Sequence, residues 1–245
     1  MKKIIKAVFN KFGLEIMKKS AVENAFELQE KLIKNTGKPI TIFDVGAHIG
    51  AISLKYNGLF PNSTIYSFEP FPESFKSLKH NTLQRKNIKP FNKGLGEYVG
   101  TSKFHSNIHE QTNSILATHE EGNSNWGNTN MLQTKEILDI ELTTIDQIVK
   151  EENIKKIDIL KMDVQGAEHQ VMAGAKKTIE KGMIRLIYTE IITIPTYEGQ
   201  QELDEALKMF RQFGFELFNI YNSGHTKNGR LQYIDVVFVN AKSLA

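Results

Sequence analysis

The sequence predicts an α/β fold: a doubly wound, mostly parallel sheet covered by helices on both faces, with an antiparallel last strand. Three observations carry this. From residue 40 onward, apolar strands alternate with segments of helical periodicity. The strands are near-continuously apolar, as strands buried on both faces must be. The link between the last two, NSGHTKNGR, is rich in turn residues and holds no helix, so those strands are antiparallel neighbours.

The elements follow in order. Residues 40–45 read as a buried strand and 49–59 as a helix, with Ile49, Ile52 and Tyr56 at helical spacing. Residues 63–69 form the next strand. A helix then opens near Pro72, where proline fits the first turn, and carries Phe75 and Leu78 inward. Residues 88–94 are a third strand. Between about 102 and 134 the periodicity fails. Six asparagines, two glycines and the single tryptophan, Trp126, read as a long polar loop with a short hairpin, an insertion or substrate lid. Order resumes at Leu142 and at Thr144–Gln147, which has capping-box spacing. Residues 157–164 are a strongly apolar strand, and 167–181 one helix closed by Gly182. A strand over 185–190, a helix from Leu203 closed by Gly214, and strands over 215–221 and 232–239 complete the domain, expected to span 40–245.

Composition narrows the classes. The chain of 245 residues is 40% hydrophobic and 24% charged, ordinary for a soluble globular protein. Net charge is +3, too mild to predict a nucleic-acid partner. Without cysteine, disulfides, thiolate catalysis and thiolate metal sites are excluded. The start, MKKIIKAVFNKFGLEIMKK, has no sustained apolar core, so a cytoplasmic location is expected. Within the N-terminal helical segment, 1–39, residues 1–19 put Ile4, Ile5, Val8, Phe9, Phe12 and Ile16 on one face, ringed by lysines. Such a helix docks on its own domain or a second subunit, or lies on anionic lipid as a peripheral membrane contact. The oligomeric state is not legible. A second helix is expected over 21–35.

The most informative run is TIFDVGAHIGAISL, residues 41–54. In a doubly wound sheet, ligands sit beyond the carboxyl ends of the strands, and Gly46 and Gly50 would let the backbone pass close to one. A triphosphate loop would need a lysine after the second glycine, and none is there. A dinucleotide turn would need a third glycine two residues before Gly46, where Asp44 stands. A carboxylate there opposes a pyrophosphate and suits a cationic ligand without phosphates, such as S-adenosylmethionine. Glu69, ending the second strand, is placed to accept from a ribose diol. The competing classes are an NAD-dependent oxidoreductase and a non-catalytic binding subunit of the same fold.

Four motifs, FDVGAHIG, SFEP (67–70), NKGLG (92–96) and LKMDVQGAEHQVMAGA (160–175), resemble the FkbM-type methyltransferases from residue 40 to the C-terminus. The resemblance implies a Rossmann-like class I S-adenosylmethionine-dependent fold, a seven-stranded sheet and O-methylation, often of a sugar hydroxyl in a glycan, surface polysaccharide or natural product. By position, Asp44, Gly46, Ala47, His48 and Gly50 would hold the methionine part of the cofactor. Glu69 and Pro70 would flank the ribose, and Gly94 the adenine. His48 stands where asparagine is frequent, and Gln165 where glutamate is frequent.

Polar residues confined to the carboxyl end of a buried strand mark the chemistry. Lys161 and Asp163 share one face of the 157–164 strand, and Glu190 ends the next. Asp163 is the first candidate for base or hydroxyl acceptor and Glu190 the second, with Asp163 also close to the cofactor. Glu168 reads as a helix N-terminal carboxylate favoured by the dipole, and Lys161 as a counter-charge. Trp126, Lys161 and His225 are candidate substrate contacts. No histidine spacing marks a metal site, and a divalent cation on Asp163 and Glu190 has no motif behind it.

Overall fold

The computed structural model of the protein describes residues 24–33, 39–127 and 129–243. The chain divides into two compact units, residues 1–35 and 36–245. In the first, helix α1 (Ala25–Ile33) begins where Oδ1 of Asn24 accepts the N–H groups of Phe26 and Glu27, both at 3.0 Å. The basic helix expected over residues 1–19 lies outside the described residues.

The second unit opens with β1 (Ile40–Val45), α2 (Ala51–Leu59), β2 (Ser63–Phe68), α3 (Pro72–Thr82) and β3 (Ile88–Phe91). Short β4 (Gly94–Leu95), β5 (Gly100–Asn107), helix α4 (Gly122–Asn125), β6 (Thr134–Thr143) and α5 (Ile145–Glu151) follow. Then come β7 (Ile157–Met162), α6 (Glu168–Ala173), α7 (Lys176–Glu180), β8 (Ile184–Ile192), α8 (Leu203–Gln212), β9 (Phe215–His225) and β10 (Leu231–Asn240).

Seven strands form one sheet in the order β3-β2-β1-β7-β8-β10-β9. The pairs from β3 through to β8 are parallel, while β10 runs antiparallel to both β8 and β9, as the turn-rich link predicts. Strand order reverses direction between β1 and β7, and the crevice of such a sheet opens at that switch point. Helices on both faces bury Phe43, Phe68, Leu160 and Phe238, which explains strands without polar alternation.

The segment around 102–134 has more regular structure than its composition signals. β5 pairs antiparallel with β6, and β4 joins to make a second, three-stranded sheet in the order β4-β6-β5. Among the described residues Phe71, Phe104, Ile140 and Leu142 form the small buried core there, so lysines and glutamates on the open face mask the strand pattern. The stretch between these strands packs Leu132 with Ile192, Ile194 and Tyr197.

Two local expectations change. The helix expected from Ile49 starts at Ala51, because His48 (φ 48°) and Gly50 (φ 88°) are left-handed, and Ile49 is 40% exposed. The helix expected over 167–181 breaks at Gly174. A Cβ there would lie 2.0 Å from the Gly96 carbonyl oxygen, so glycine permits a contact that no other residue could make. Its own carbonyl accepts from the Asp146 N–H at 3.0 Å. The Asp146 carboxylate then accepts the N–H groups of Lys177 and Thr178 (3.0 and 2.8 Å), capping α7 from outside.

Candidate active site

At the switch point, Asp44 and Lys161 are register partners on β1 and β7. The Asp44 side chain is fully buried, with Oδ1 3.1 Å from the Lys161 ammonium and Oδ2 accepting from the Ser53 hydroxyl at 2.6 Å. Lys161 also donates to the Gly46 carbonyl at 3.0 Å. Burial opposes the charge on Lys161, but Asp44 and Asp163, with Glu69, outweigh it and hold its pKa above the ordinary lysine value. Asp44, expected to meet a cationic ligand, has a cation of the chain itself, Lys161, against its Oδ1. Its charge is spent on Lys161 beneath the turn, and what the pair fixes is the backbone above it.

The glycines serve packing. A Cβ on Gly46 (φ +71°) would lie 1.9 Å from the Asp163 carbonyl oxygen, so this glycine lets the turn close on the end of β7. Gly50 does not border the site; its Cβ would meet Leu78 of α3 at 2.7 Å.

A cavity of about 510 Å³ opens above these residues. Gly46, Ala47, His48, Glu69, Pro70 and Gly94 line it, as do Lys161, Asp163, Glu190 and Trp126. His225, at the end of β9, is not among the lining residues. His48 is left-handed, a conformation that asparagine and histidine tolerate better than most residues, which accounts physically for the exchange of the two. Its Nε2 stands 3.7 Å from the Glu110 carboxylate.

Glu69 is buried, and each carboxylate oxygen accepts one backbone N–H: His48 at 2.7 Å and Phe71 at 2.9 Å. It thus ties the glycine turn to the loop after β2. Burial pushes its pKa up to about 7, against the pull of the two amides. Each oxygen keeps lone-pair capacity for a further donor.

Across the switch point, the Gln165 side-chain amide donates to Asp163 Oδ1 at 2.8 Å and to Glu190 Oε1 at 3.3 Å. Its Oε1 lies 2.9 Å from the Tyr197 hydroxyl, which also lies 2.9 Å from the Thr112 carbonyl. Gln165 has φ 54°, a strained choice for this residue type, and the Ser114 hydroxyl holds its carbonyl at 2.8 Å. The position where the motif departs from glutamate is therefore a neutral bridge between two acids. Burial pushes Glu190 up to about 8, and repulsion from Asp163, Asp235 and Glu168 adds to this. Glu168 accepts the Val164 N–H at 3.2 Å and is pushed up to about 7, chiefly by burial.

Sequence reasoning missed Asn113 and Tyr233, which also line the cavity. Oδ1 of Asn113 accepts from Asn107 at 2.7 Å, while its Nδ2 is buried without a partner, as is Nε2 of His48 in hydrogen-bonding terms. No local pattern marks either residue. Asn113 is brought there by the segment that folds back on β5, where Ser114 bridges to His105, and Tyr233 by β10. Among the described residues no three His, Asp or Glu side chains are grouped to hold a metal ion.

The methyltransferase FkbM domain family matches residues 44–217 of the chain. No match was found among curated proteins. The chain is similar to the solved methyltransferase FkbM of Methylobacillus flagellatus, with 14% identity over 86% of this chain and 47% of that one, at a TM-score of 0.48. It thus spans about half of that protein's length. TrmK of M. capricolum, solved with S-adenosylhomocysteine, is 8% identical over 87% of this chain and 67% of that one, TM-score 0.47. The METTL16 methyltransferase domain is 12% identical over 96% of this chain and 76% of that one, TM-score 0.50, a likeness of fold alone.

Proposed function

The chain belongs to the FkbM methyltransferase family, and from that premise we propose that it transfers a methyl group from S-adenosylmethionine to a sugar hydroxyl of a glycan, surface polysaccharide or related natural product. The observation that carries the reading is one cavity with buried Glu69 on its β2 side and the Asp163–Gln165–Glu190 bridge on its β7–β8 side.

The residues present fit the cofactor. A volume of about 510 Å³ suits a ligand of its size. Glu69 offers lone pairs to a diol, and Nε2 of His48 is a buried polar atom without a hydrogen-bond partner. His48, Ala47 and Gly46 would hold the methionine part, Glu69 and Pro70 the ribose, and Gly94 the adenine. When bound, S-adenosylmethionine supplies a methyl group on a sulfonium, whose charge is lost in the transfer. The chain's own part is alignment and proton handling. The Asp44–Lys161 pair and the Gly46 contact fix the turn against β7, which places Asp163. Asp163 and Glu190, held together by Gln165, receive the proton of the acceptor hydroxyl. A pKa near 8 makes Glu190 a proton acceptor matched to mildly alkaline pH.

A saccharide is the proposed partner, nucleic acid is not, and the cytoplasm is the proposed compartment; these rest on the sequence. Among the described residues no helix is long and apolar enough to cross a membrane. Calorimetry with S-adenosylhomocysteine and with NADH tests the cofactor. Binding of the first alone is expected, and binding of NADH alone would overturn the reading. Transfer of labelled methyl from S-adenosylmethionine to saccharide tests the reaction.

A further inference from the structure

We propose that the part of the cavity beside Asp163 and Glu190 is the acceptor subsite, and that it takes a phosphate-free saccharide unit, neutral or amine-bearing, seated against Trp126 and Tyr233. This rests on the reading of the site given above and adds the acceptor's charge to it.

The aromatic pair comes from two distant parts of the chain. The Trp126 and Tyr233 rings lie nearly parallel, at 6° with centroids 6.2 Å apart, and both border the cavity. The indole N–H already donates to the Thr196 hydroxyl at 2.9 Å, so Trp126 has only ring surface to offer. Tyr233 rests on the backbone of Gly224, where a Cβ would lie 2.0 Å from its Cε1. Rigid ring surface beside polar groups is what the C–H face of a sugar ring packs against. The polar partners are at hand: the Asp163 and Glu190 carboxylates accept from hydroxyls. The unpartnered Nδ2 of Asn113 is a buried donor that a ligand oxygen would satisfy.

Charge then sorts the sugars. Glu69, Glu110, Asp163 and Glu190 line the cavity. Among the described lining residues Lys161 is the one lysine and no arginine is present; that lysine is engaged with Asp44 and the Gly46 carbonyl. Two histidines among the described residues line the cavity as well: His48, whose Nε2 stands 3.7 Å from the Glu110 carboxylate, and His109. Phosphate recognition commonly uses arginine forks or lysines, and a phosphate here would instead meet the Asp163 and Glu190 carboxyl groups bridged by Gln165, with no unengaged lysine or arginine among the described lining residues. A neutral hydroxyl-bearing ring meets no such opposition, and an ammonium group is attracted.

The test uses the full chain with S-adenosylhomocysteine present, its binding first measured by calorimetry. Saturation-transfer NMR then compares methyl glucoside, N-acetylglucosamine, glucosamine, glucose 6-phosphate and glucuronate. Signal is expected from the first three, at least fivefold above the last two. It should be lost in Trp126→Ala and in Tyr233→Ala, with S-adenosylhomocysteine affinity unchanged in both. Equal or stronger signal from the phosphate or carboxylate sugars overturns the proposal, as does the absence of signal from all five. Failure of S-adenosylhomocysteine to bind overturns the cofactor reading instead, which separates the two.

Discussion

The ammonium of Lys161 sits 3.1 Å from a carboxylate oxygen of Asp44, across neighbouring strands and shut off from solvent. A buried pair of this kind gives little net stability over apolar packing, yet removing one partner strands a charge. Lys161→Met should therefore cost about 3–5 kcal/mol of unfolding free energy. The double change with Asp44→Asn should recover a large part of it. Urea titration of the two variants measures the difference, and equal losses would show that the pair is not coupled.

Gly46 sits where the turn touches β7. Gly46→Ala meets the Asp163 carbonyl and a φ of +71° together, so about 2 kcal/mol or more of stability should be lost. S-adenosylhomocysteine affinity should fall as well, since the turn must back away from the strand. Thermal melts and calorimetry on one preparation check both.

Asp163→Asn keeps the shape of the site and removes an acceptor for the hydroxyl proton. Turnover should fall by about a hundredfold or more while S-adenosylhomocysteine binds as before. Normal methylation by this variant would remove Asp163 from the proton path.

Gln165→Glu replaces a neutral donor with a third acid between Asp163 and Glu190. The acid limb of the pH–rate profile should move up by about one unit, because an added negative neighbour raises the pKa of a carboxylate. Gln165→Ala should lower the rate without that upward move. A profile unchanged in the glutamate variant would place the rate-controlling proton elsewhere.

Three carboxyls, Glu69, Glu168 and Glu190, have folded pKa values of about 7, 7 and 8 against an ordinary 4.5. A value raised on folding means that the folded state binds the proton more tightly than the unfolded chain. Their contribution to stability is full below about pH 4.5 and is lost as pH rises through 7 to 8. The melting temperature should fall from pH 5 to pH 8, and Glu190→Gln should flatten that fall. A rise over the same interval would contradict the burial of these groups.

Much of the fold was legible because both-sided burial leaves a plain signature: apolar strands such as residues 157–162 cannot be mistaken for half-exposed ones. The antiparallel end was legible from a link too short for a helix. The second sheet was not, since β5 and β6 bury one face thinly and their charged residues resemble a loop. At the site, Glu69, Asp163 and Glu190 could be placed by their strand ends. The pairing of Asp44 with Lys161 was not legible, because sequence gives a carboxylate's position and not the partner lying under it. Gln165 looked like a mere departure from a pattern. Its bridging depends on a left-handed backbone and on Tyr197, which lies 32 residues away.

Tyr233 rests on Gly224, within the hairpin of the sheet's outer edge, while the glycine turn and Glu69 follow β1 and β2. The molecule is thereby modular. On the proposed reading, donor recognition and acceptor recognition hang on opposite wings of one scaffold, joined at Asp163. Diversifying Gly224, Tyr233 and the Trp126 loop is therefore a route to new acceptors that leaves the methyl-donor wing untouched.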